Sequence, residues 1–516
     1  MSRQFLAVLL ADLLGVLAFS VSACDADAPV STPADTVEDA AAHWVDGNHL
    51  LWVDAPAAAR YEIRSSSDAE IRIEEGTVTA GEAIALDPNI SISPDAPYRH
   101  IADAPAFVVE TDPATAKEAL RGQLVAVAYN DSDTVVDATL VQRHGALDHY
   151  FAYDGPLGPQ YTTESIGVNL WAPTAQSIAL HLFDADKERI ATVSPDDAMP
   201  DDGVWRFTGD SDWDRAFYQF EIEVYHPTTD SVHTFTTTDP YAVSLSTDSR
   251  HSQFVDLAAD EALMPEGWAD IRKEQPRAID ITAYEAHMRD FSMHDATVPE
   301  SHRGTYRAFT HADSDGMQHL QRLQEAGLTH LHLLPFNDIA TVNEAPDTRV
   351  DIDDPYERIC ELVDYDGLDD ACDQHGDRII QDVFAELAEE DPATEEIQRP
   401  YADPGRMSGM AIYDGFNWGY DPYHFNAPQG SYSTDPDGAQ RVLELREMVT
   451  ALNDIGLHVV QDVVYNHTFA SADNRESVLD KVVPGYYHRY DPVTGDIETS
   501  TCCDNTAAEF QMMERL

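Results

Sequence analysis

The hydrophobic pattern of the chain changes its period near Arg277, and this change constrains the fold more than any other feature. Before Arg277, short runs alternate apolar and polar residues, and turn residues separate them, which is typical of antiparallel strands. After Arg277, two segments each combine a helical pattern, a glycine and a short apolar run, which is typical of parallel α/β construction. We therefore predict a multidomain protein in which two antiparallel β-sandwich-like modules precede an α/β region.

The two β modules are predicted at residues 43–157 and 158–275. The first contains the runs LLWVDA, YEIRS, EIRIEEGTV, AFVVE and QLVAVAYND. The second contains SIGVNLWAP, QSIALHLFD, GVWRFTGD, FYQFEIEVYHP and VHTFTTTDP. Because each run has one apolar face, each module can enclose a core of its own.

The α/β region is predicted at residues 276–516. Two helices, at 316–326 and 439–455, have one apolar face each and end at Gly327 and Gly456. The apolar runs THLHLLPF and LHVVQDVVYNH follow these glycines, and ITAYEAHMRDF precedes both units. Ligands of parallel sheets lie at the carboxyl ends of the strands, which here carry Asn337, Asp338, Tyr465, Asn466 and His467.

The first 24 residues read as an export signal. Arg3 precedes an apolar run that is too short to span a bilayer stably. The run ends in Val-Ser-Ala-Cys at Cys24, which resembles a bacterial lipobox, so we expect lipidation of Cys24 and an envelope lipoprotein that faces the periplasm or the outside. The alternative is an ordinary signal peptide with a chance cysteine. Residues 25–42 are acidic and aperiodic and predict a flexible tether.

The chain is strongly acidic. It has 94 Asp and Glu against 31 Lys and Arg, which gives a formal charge of −63. Such a field repels nucleic acid, so we expect no nucleic-acid partner. Two explanations remain open, namely a surface suited to high salt and recruitment of a cationic partner.

Four cysteines follow Cys24, and none of them forms a CxxC pair. In an oxidising compartment Cys360 and Cys372 can close a short loop, and we predict this disulfide. Adjacent cysteines rarely bond to each other without strain, so the state of Cys502 and Cys503 stays open.

Several segments of the α/β region resemble glycoside hydrolase family 13. DVVYNH (462–467) matches the first conserved region of that family, and FNWGYDP (416–422) resembles the YNWGYDP signature of type I pullulanases. VNLWAPTAQSIALHLFD (168–184) is similar to carbohydrate-binding module family 48, and LRGQLVAVAYND resembles the pullulanase N-terminal domain. The resemblance implies that residues 276–516 form the first part of a (β/α)8 barrel. It also implies hydrolysis of α-1,6 links in pullulan, amylopectin, glycogen or limit dextrins.

The resemblance also assigns roles to individual residues. Tyr420 stacks on a sugar ring, His467 donates a hydrogen bond to a glucose hydroxyl, and Asp462 is a structural carboxylate that orients its neighbours. Trp418 and Asp421 shape the loop near the substrate. Asn466 matches a position that binds calcium in some amylases; we predict no metal site and no required cofactor, and we leave calcium open.

The two catalytic carboxyl groups of a retaining glycosidase are not found in the sequence. Such enzymes need a nucleophile and an acid/base about 5 to 5.5 Å apart. The family's nucleophile motif resembles GFRFD, a string that does not occur here. We therefore expect the nucleophile Asp and the acid/base Glu beyond Leu516 and no activity from these residues alone. The alternatives are a non-catalytic glucan-binding lipoprotein and an isoamylase-like or branching enzyme of the same clan.

Overall fold

The computed structural model describes residue 37 and residues 39–516, except for 95, 272–275, 363–367, 391–412 and 500–502. The predictions on residues 1–24, on Cys24 and on most of the tether lie outside these residues. The described chain divides into two compact units. Residues 243–464 are called the α/β unit, and residues up to 242 together with 465–516 are called the β unit.

The first module of the β unit is a closed barrel. Its strand order is β1-β2-β7-β6-β3-β8-β9, and a parallel pair between β1 and β9 closes the ring. The strands are β1 (Ala42–Trp44), β2 (His49–Trp52), β3 (Arg60–Ser66), β4 (Ile73–Glu74), β5 (Thr77–Val78), β6 (Glu82–Ile90), β7 (Ala106–Glu110), β8 (Gln123–Tyr129) and β9 (Val135–Gln142). Two helices accompany them, α1 (Pro113–Ala119) and α2 (His144–Phe151).

The barrel corrects the predicted sandwich. Alternation indicates which face of a strand is buried, but it does not indicate which strand edges meet. The closing strand β1 has three residues, too few to show a period. It also lies at the end of the predicted tether, where Ala40 to Ala42 are buried and the amide of Leu140 donates to the carbonyl of Asp39. The predicted tether boundary at residue 42 is therefore also wrong.

The second module contains two separate antiparallel sheets. One sheet has the order β10-β11-β14, and the other contains the path β13-β12-β15-β16. The strands are β10 (Gly158–Tyr161), β11 (Ile166–Trp171), β12 (Ala175–Phe183), β13 (Arg189–Val193), β14 (Val204–Gly209), β15 (Phe217–His226) and β16 (Ser231–Thr237).

The α/β unit contains a parallel sheet with the order β18-β19-β22. The strands of the whole α/β unit are β17 (Ser252–Gln253), β18 (Ala283–Ala286), β19 (His330–Leu333), β20 (Asn337–Ile339), β21 (Pro422–Pro428) and β22 (His458–Gln461). Its helices are α3 (Asp315–Glu325), α4 (Glu357–Leu362), α5 (Leu368–His375), α6 (Ile380–Glu390) and α7 (Gln440–Asp454). The two predicted helix–glycine–strand units are present as α3 with β19 and α7 with β22, and Gly327 and Gly456 both adopt positive φ.

Burial in this sheet depends on position. The central strand β19 is mostly buried, whereas β18 and β22 are largely exposed, which corrects the prediction of buried strands at both places. Within the described residues each outer strand has one hydrogen-bonded neighbour. An apolar run shows that a strand can be buried, but a neighbour is needed to bury it.

Residues 243–257 belong to the α/β unit rather than to the second β module, so the predicted boundary at 275 lies too late. The side chain of Arg446 on α7 donates to the carbonyls of Leu257 and Leu263 at 2.8 and 2.9 Å. Val255 and Leu263 pack against Val442 of the same helix. These contacts attach the connecting segment to α7.

Residues 465–516 belong to the β unit, which corrects the single predicted domain 276–516. The segment contains β23 (His467–Thr468), α8 (Leu479–Val482), β24 (Asp504–Asn505) and α9 (Gln511–Arg515). Tyr486 and Tyr487 are fully buried, and their rings lie 4.8 and 5.9 Å from that of Trp171 in the second module. A local pattern could not reveal that these residues complete a distant core.

None of the helices in the described part of the chain is both long and apolar enough to cross a membrane.

Candidate active site

The candidate site of the α/β unit lies where Tyr420 meets Asp462. The Tyr420 hydroxyl donates to Asp462 Oδ2 at 2.6 Å. Asp462 follows β22 directly, and its amide donates to the carbonyl of Leu333 at the end of β19. Burial and the neighbouring carboxylate raise the pKa of Tyr420 well above its usual range, so the phenol keeps its proton. Both predicted residues therefore meet at the carboxyl end of the parallel sheet.

The loop that carries Tyr420 is shaped by Asn417 and Asp421. The Asn417 amide donates to Thr341 Oγ1 at 2.7 Å and to Asp421 Oδ2 at 3.0 Å, and its oxygen accepts from the Gly419 amide at 2.8 Å. Thr341 also donates to Asp421 at 2.8 Å. Asp421 thus accepts hydrogen bonds both from the loop and from Thr341.

Gly419 allows the loop to turn. Its φ is +91°, and a Cβ at this position would lie 2.4 Å from the carbonyl oxygen of Pro335. Only glycine accepts both conditions. Its two neighbours, Trp418 and Tyr420, are thereby left exposed, by 55% and 38%.

Two aromatic side chains lie beside the exposed ring of Trp418. The Trp418 ring lies 5.6 Å from Phe416 and 6.4 Å from His287. His287 Nε2 donates to the carbonyl of Asn417 at 2.7 Å, while Nδ1 accepts from the amide of Asp290 at 3.2 Å. Burial lowers the pKa of His287 below its ordinary value, which favours this neutral form. Together the three rings form an aromatic cluster, which is an apolar platform of the kind on which a sugar ring stacks.

His287 was not among the predicted site residues. It directly follows β18, so it lies at the same end of the sheet as Asp462. The signal was present in the sequence, because a histidine directly follows the segment AYEA of a predicted strand. Its spacing to the FNWGYDP loop gave no indication that the two meet.

Charged groups lie near the cluster. Arg289 pairs with Asp351, and burial raises the pKa of the nearby Asp414 to about 6. The amide of Phe416 donates to Asp414 at 2.9 Å, which ties this carboxyl to the start of the loop. None of these residues was predicted.

Asp338, which follows β19 at the second predicted strand end, has a structural role. Asp338 is buried, accepts from His424 Nδ1 at 2.6 Å and accepts from the Ser249 hydroxyl at 2.7 Å. Asn337 is buried as well. Ligand binding at Asp338, expected from its position after a strand, is therefore not supported, because its two oxygens are bonded within the fold. The expectation for Asn337 stays a prediction.

His467 lies in the β unit, where it pairs with Asn505 between β23 and β24. It is 5% exposed. The side-chain amide of Asn466 lies 3.0 Å from His467 Nδ1.

Three domains of known families match parts of the chain. Residues 39–149 match the pullulanase N2 domain, residues 156–242 match carbohydrate-binding module 48 (isoamylase N-terminal domain), and residues 339–403 match the pullulanase Ins domain. A pullulanase from Klebsiella pneumoniae is 37% identical over 521 aligned residues, which cover 98% of this chain and 46% of that protein. Chloroplastic pullulanase 1 from Arabidopsis thaliana is 36% identical, with coverage of 97% and 48%. The chain belongs to the pullulanase family.

The solved structure of PulA from Klebsiella pneumoniae in complex with maltotriose has the same fold as this pullulanase-family chain. The TM-score is 0.84 at 37% identity, and the match covers 93% of this chain and 52% of that one. The chain spans about half the length of the curated relatives that it matches.

The Ins domain of this pullulanase-family chain contains the predicted disulfide. Cys360 on α4 and Cys372 on α5 are bonded, with their Cα atoms 6.0 Å apart. Val350, Tyr356, Ile359, Ile380 and Val383 form a small core beside the bond. Cys503 is buried, and Cys502 lies outside the described residues.

Proposed function

We propose that the full-length protein hydrolyses α-1,6-glucosidic links in pullulan, amylopectin, glycogen or limit dextrins by a retaining mechanism. The observation that carries this proposal is the Tyr420–Asp462 contact, built from the FNWGYDP loop and the DVVYNH strand end in a pullulanase-family chain. The carbohydrate-binding module in the β unit supports an α-glucan as the substrate class.

The proposed scaffold is a (β/α)8 barrel that begins with β18, β19 and β22. Two observations support it, the parallel register of the three strands and the two helix–glycine–strand units. Active sites of such barrels lie at the carboxyl ends of the strands, where His287, Tyr420 and Asp462 are found. We assign neither the nucleophile nor the acid/base to any residue described above.

Each proposed binding residue has a physical task. The exposed rings of Trp418 and Tyr420 offer apolar area to a pyranose face at little cost in conformational entropy. Asp462 holds the Tyr420 ring in place through one charge-assisted hydrogen bond. His467 donates a hydrogen bond to a glucose hydroxyl, and this bond strengthens as charge develops in the transition state.

The test is release of reducing ends from pullulan by the full-length protein and by matched variants. Tyr420→Ala removes both the ring and the hydrogen bond and is expected to lower kcat/KM by at least about tenfold. Tyr420→Phe keeps the ring and is expected to lose less. An enzyme that cuts only α-1,4 links, or equal losses in the two variants, would contradict the substrate or the stacking role.

Glucan binding without hydrolysis is the second candidate function, and the carbohydrate-binding module favours it specifically. A full-length protein that binds amylopectin but releases no reducing ends would establish this candidate instead.

We also propose that the protein is exported and anchored through a lipid on Cys24. The lipobox-like Val-Ser-Ala-Cys after an apolar run supports this proposal. Palmitate labelling in a bacterial host is expected for the wild type and not for Cys24→Ser. Equal labelling of both proteins would refute the anchor.

A further inference from the structure

A fully buried cluster of one carboxylate and two imidazoles lies in the β unit. Asp480 on α8, His226 at the end of β15 and His488 have no exposed surface. His226 Nε2 lies 3.2 Å from Asp480 Oδ2, and His488 Nδ1 lies 3.8 Å from Asp480 Oδ1. The cluster therefore joins the second β module to the segment 465–516 of the same unit.

Asp480 is held firmly from several sides. It accepts from the amide of Ala472 at 2.9 Å, from the amide of Gly485 at 3.2 Å and from the hydroxyl of Tyr490 at 3.2 Å. Burial alone would raise the pKa of Asp480, but His226 and His488 hold it well below the usual range. The carboxylate thus ties together three points of the segment that follows His467.

The contacts continue from His488 to the strand of His467. The hydroxyl of Thr468 donates to the carbonyl of Ala470 at 3.0 Å, so its oxygen accepts from His488 Nε2 at 2.8 Å. Thr468 is the second residue of β23, directly after His467. Two buried carboxylate–imidazole contacts, which are not hydrogen bonds, and one hydrogen bond therefore link His226, Asp480, His488 and Thr468, beside His467.

We propose that Asp480 is a positioning residue, which orients His467 through His488 and Thr468 and is itself fixed by His226 of the carbohydrate-binding module. This inference rests on the proposed role of His467 in substrate binding. It makes the second β module part of the support of a substrate-binding residue. A side chain that is misplaced by about 1 Å can lower the rate by about a hundredfold, so such support matters for catalysis.

The first test is hydrogen exchange on the 516-residue chain, which needs no activity. Asp480→Asn keeps the size of the side chain and removes its charge. We expect exchange in residues 465–470 to rise by about tenfold, while β7 in the same unit is unchanged. Asp230→Asn is the matched control, because Asp230 is a largely buried carboxylate of the second module that bonds to Tyr225 and Gln123 and is not among the four linked residues. Unchanged exchange at 465–470 in Asp480→Asn would overturn the inference.

The second test separates positioning from general destabilisation. In the full-length protein, Asp480→Asn is expected to lower kcat on pullulan by about ten- to a hundredfold, with a smaller effect on KM. Added to His467→Ala, it should cause no further loss, because it acts through that residue. Independent losses in the double variant would overturn the inference.

A second variant and the activity of the wild type distinguish failure of this inference from unfolding and from failure of the proposed function. If Asp480→Asn unfolds the β unit, His226→Gln is the variant to test instead. It should raise exchange in residues 465–470 and lower kcat in the same way, but by smaller factors. Absence of pullulan cleavage by the wild type would refute the proposed function, whereas the exchange experiment would still decide whether Asp480 holds the strand of His467.

Discussion

The barrel of the β unit and the parallel sheet of the α/β unit have similar apolar runs but bury them differently. All seven residues of β8 are buried: both edges of the strand are paired, and Ile71 and Val78 pack against one of its faces. In the parallel sheet the central β19 is mostly buried, whereas β22 leaves Val460 39% exposed. The difference teaches that burial of a strand depends on its neighbours as much as on its composition.

The largest expected effect tests the interior of the α/β unit. Arg441 and Glu344 form a buried ion pair, and burial raises the pKa of Glu344 to about 7 even with Arg441 beside it. Arg441→Met leaves Glu344 buried without its partner, so we expect a loss of about 3–5 kcal/mol in the free energy of unfolding. The loss should be larger at pH 8 than at pH 5, where Glu344 takes up a proton.

This loss is measured by urea unfolding, in which hydrogen exchange of the α7 amides reports the unfolded fraction. The double variant Glu344→Leu/Arg441→Met removes both charges and should regain part of the stability, because backbone groups such as the Pro428 carbonyl and the Gly430 amide still lose their partners. A double variant as unstable as Arg441→Met alone would show that the charge is not the cause.

The second prediction compares the central and outer strands directly. Leu331→Ala on β19 removes a fully buried side chain and should cost about 2–5 kcal/mol of unfolding free energy in the 516-residue chain. Val460→Ala on β22 should cost less than about 1 kcal/mol, because Val460 already contacts solvent. Equal costs from urea unfolding would break the comparison.

The smallest effect concerns the β unit and its response to pH. Burial lowers the pKa of His144 to about 4, from an ordinary value of 6.5. Between these values the unfolded chain binds a proton that the folded unit excludes, so stability is lost as the pH falls from 6.5 towards 4.

We expect His144 to contribute a loss of about 2 kcal/mol between pH 7 and pH 5. Over the same pH interval the free energy of unfolding of His144→Gln should fall by about 2 kcal/mol less than that of the wild type. Hydrogen exchange in β8 measures both values. The exposed His149 offers the control, and His149→Gln should keep the wild-type slope. Identical slopes in the wild type and His144→Gln would show that His144 does not govern the acid response.

The sequence by itself determined the local elements and most of the candidate site. Period two predicted the strands of both β modules, and the glycines at 327 and 456 marked the ends of α3 and α7, because positive φ suits glycine. The FNWGYDP and DVVYNH motifs identified Tyr420 and Asp462 as site residues.

Only the tertiary structure decided how these pieces close and combine. Closure of the barrel by β1, the place of residues 465–516 in the β unit, and the contact of His287 with Asn417 all join residues far apart in the chain. A local pattern records which face of an element avoids water, but it holds no record of the partner that covers that face. The distant partner is selected by packing and by buried hydrogen bonds, and these exist only once the chain has folded.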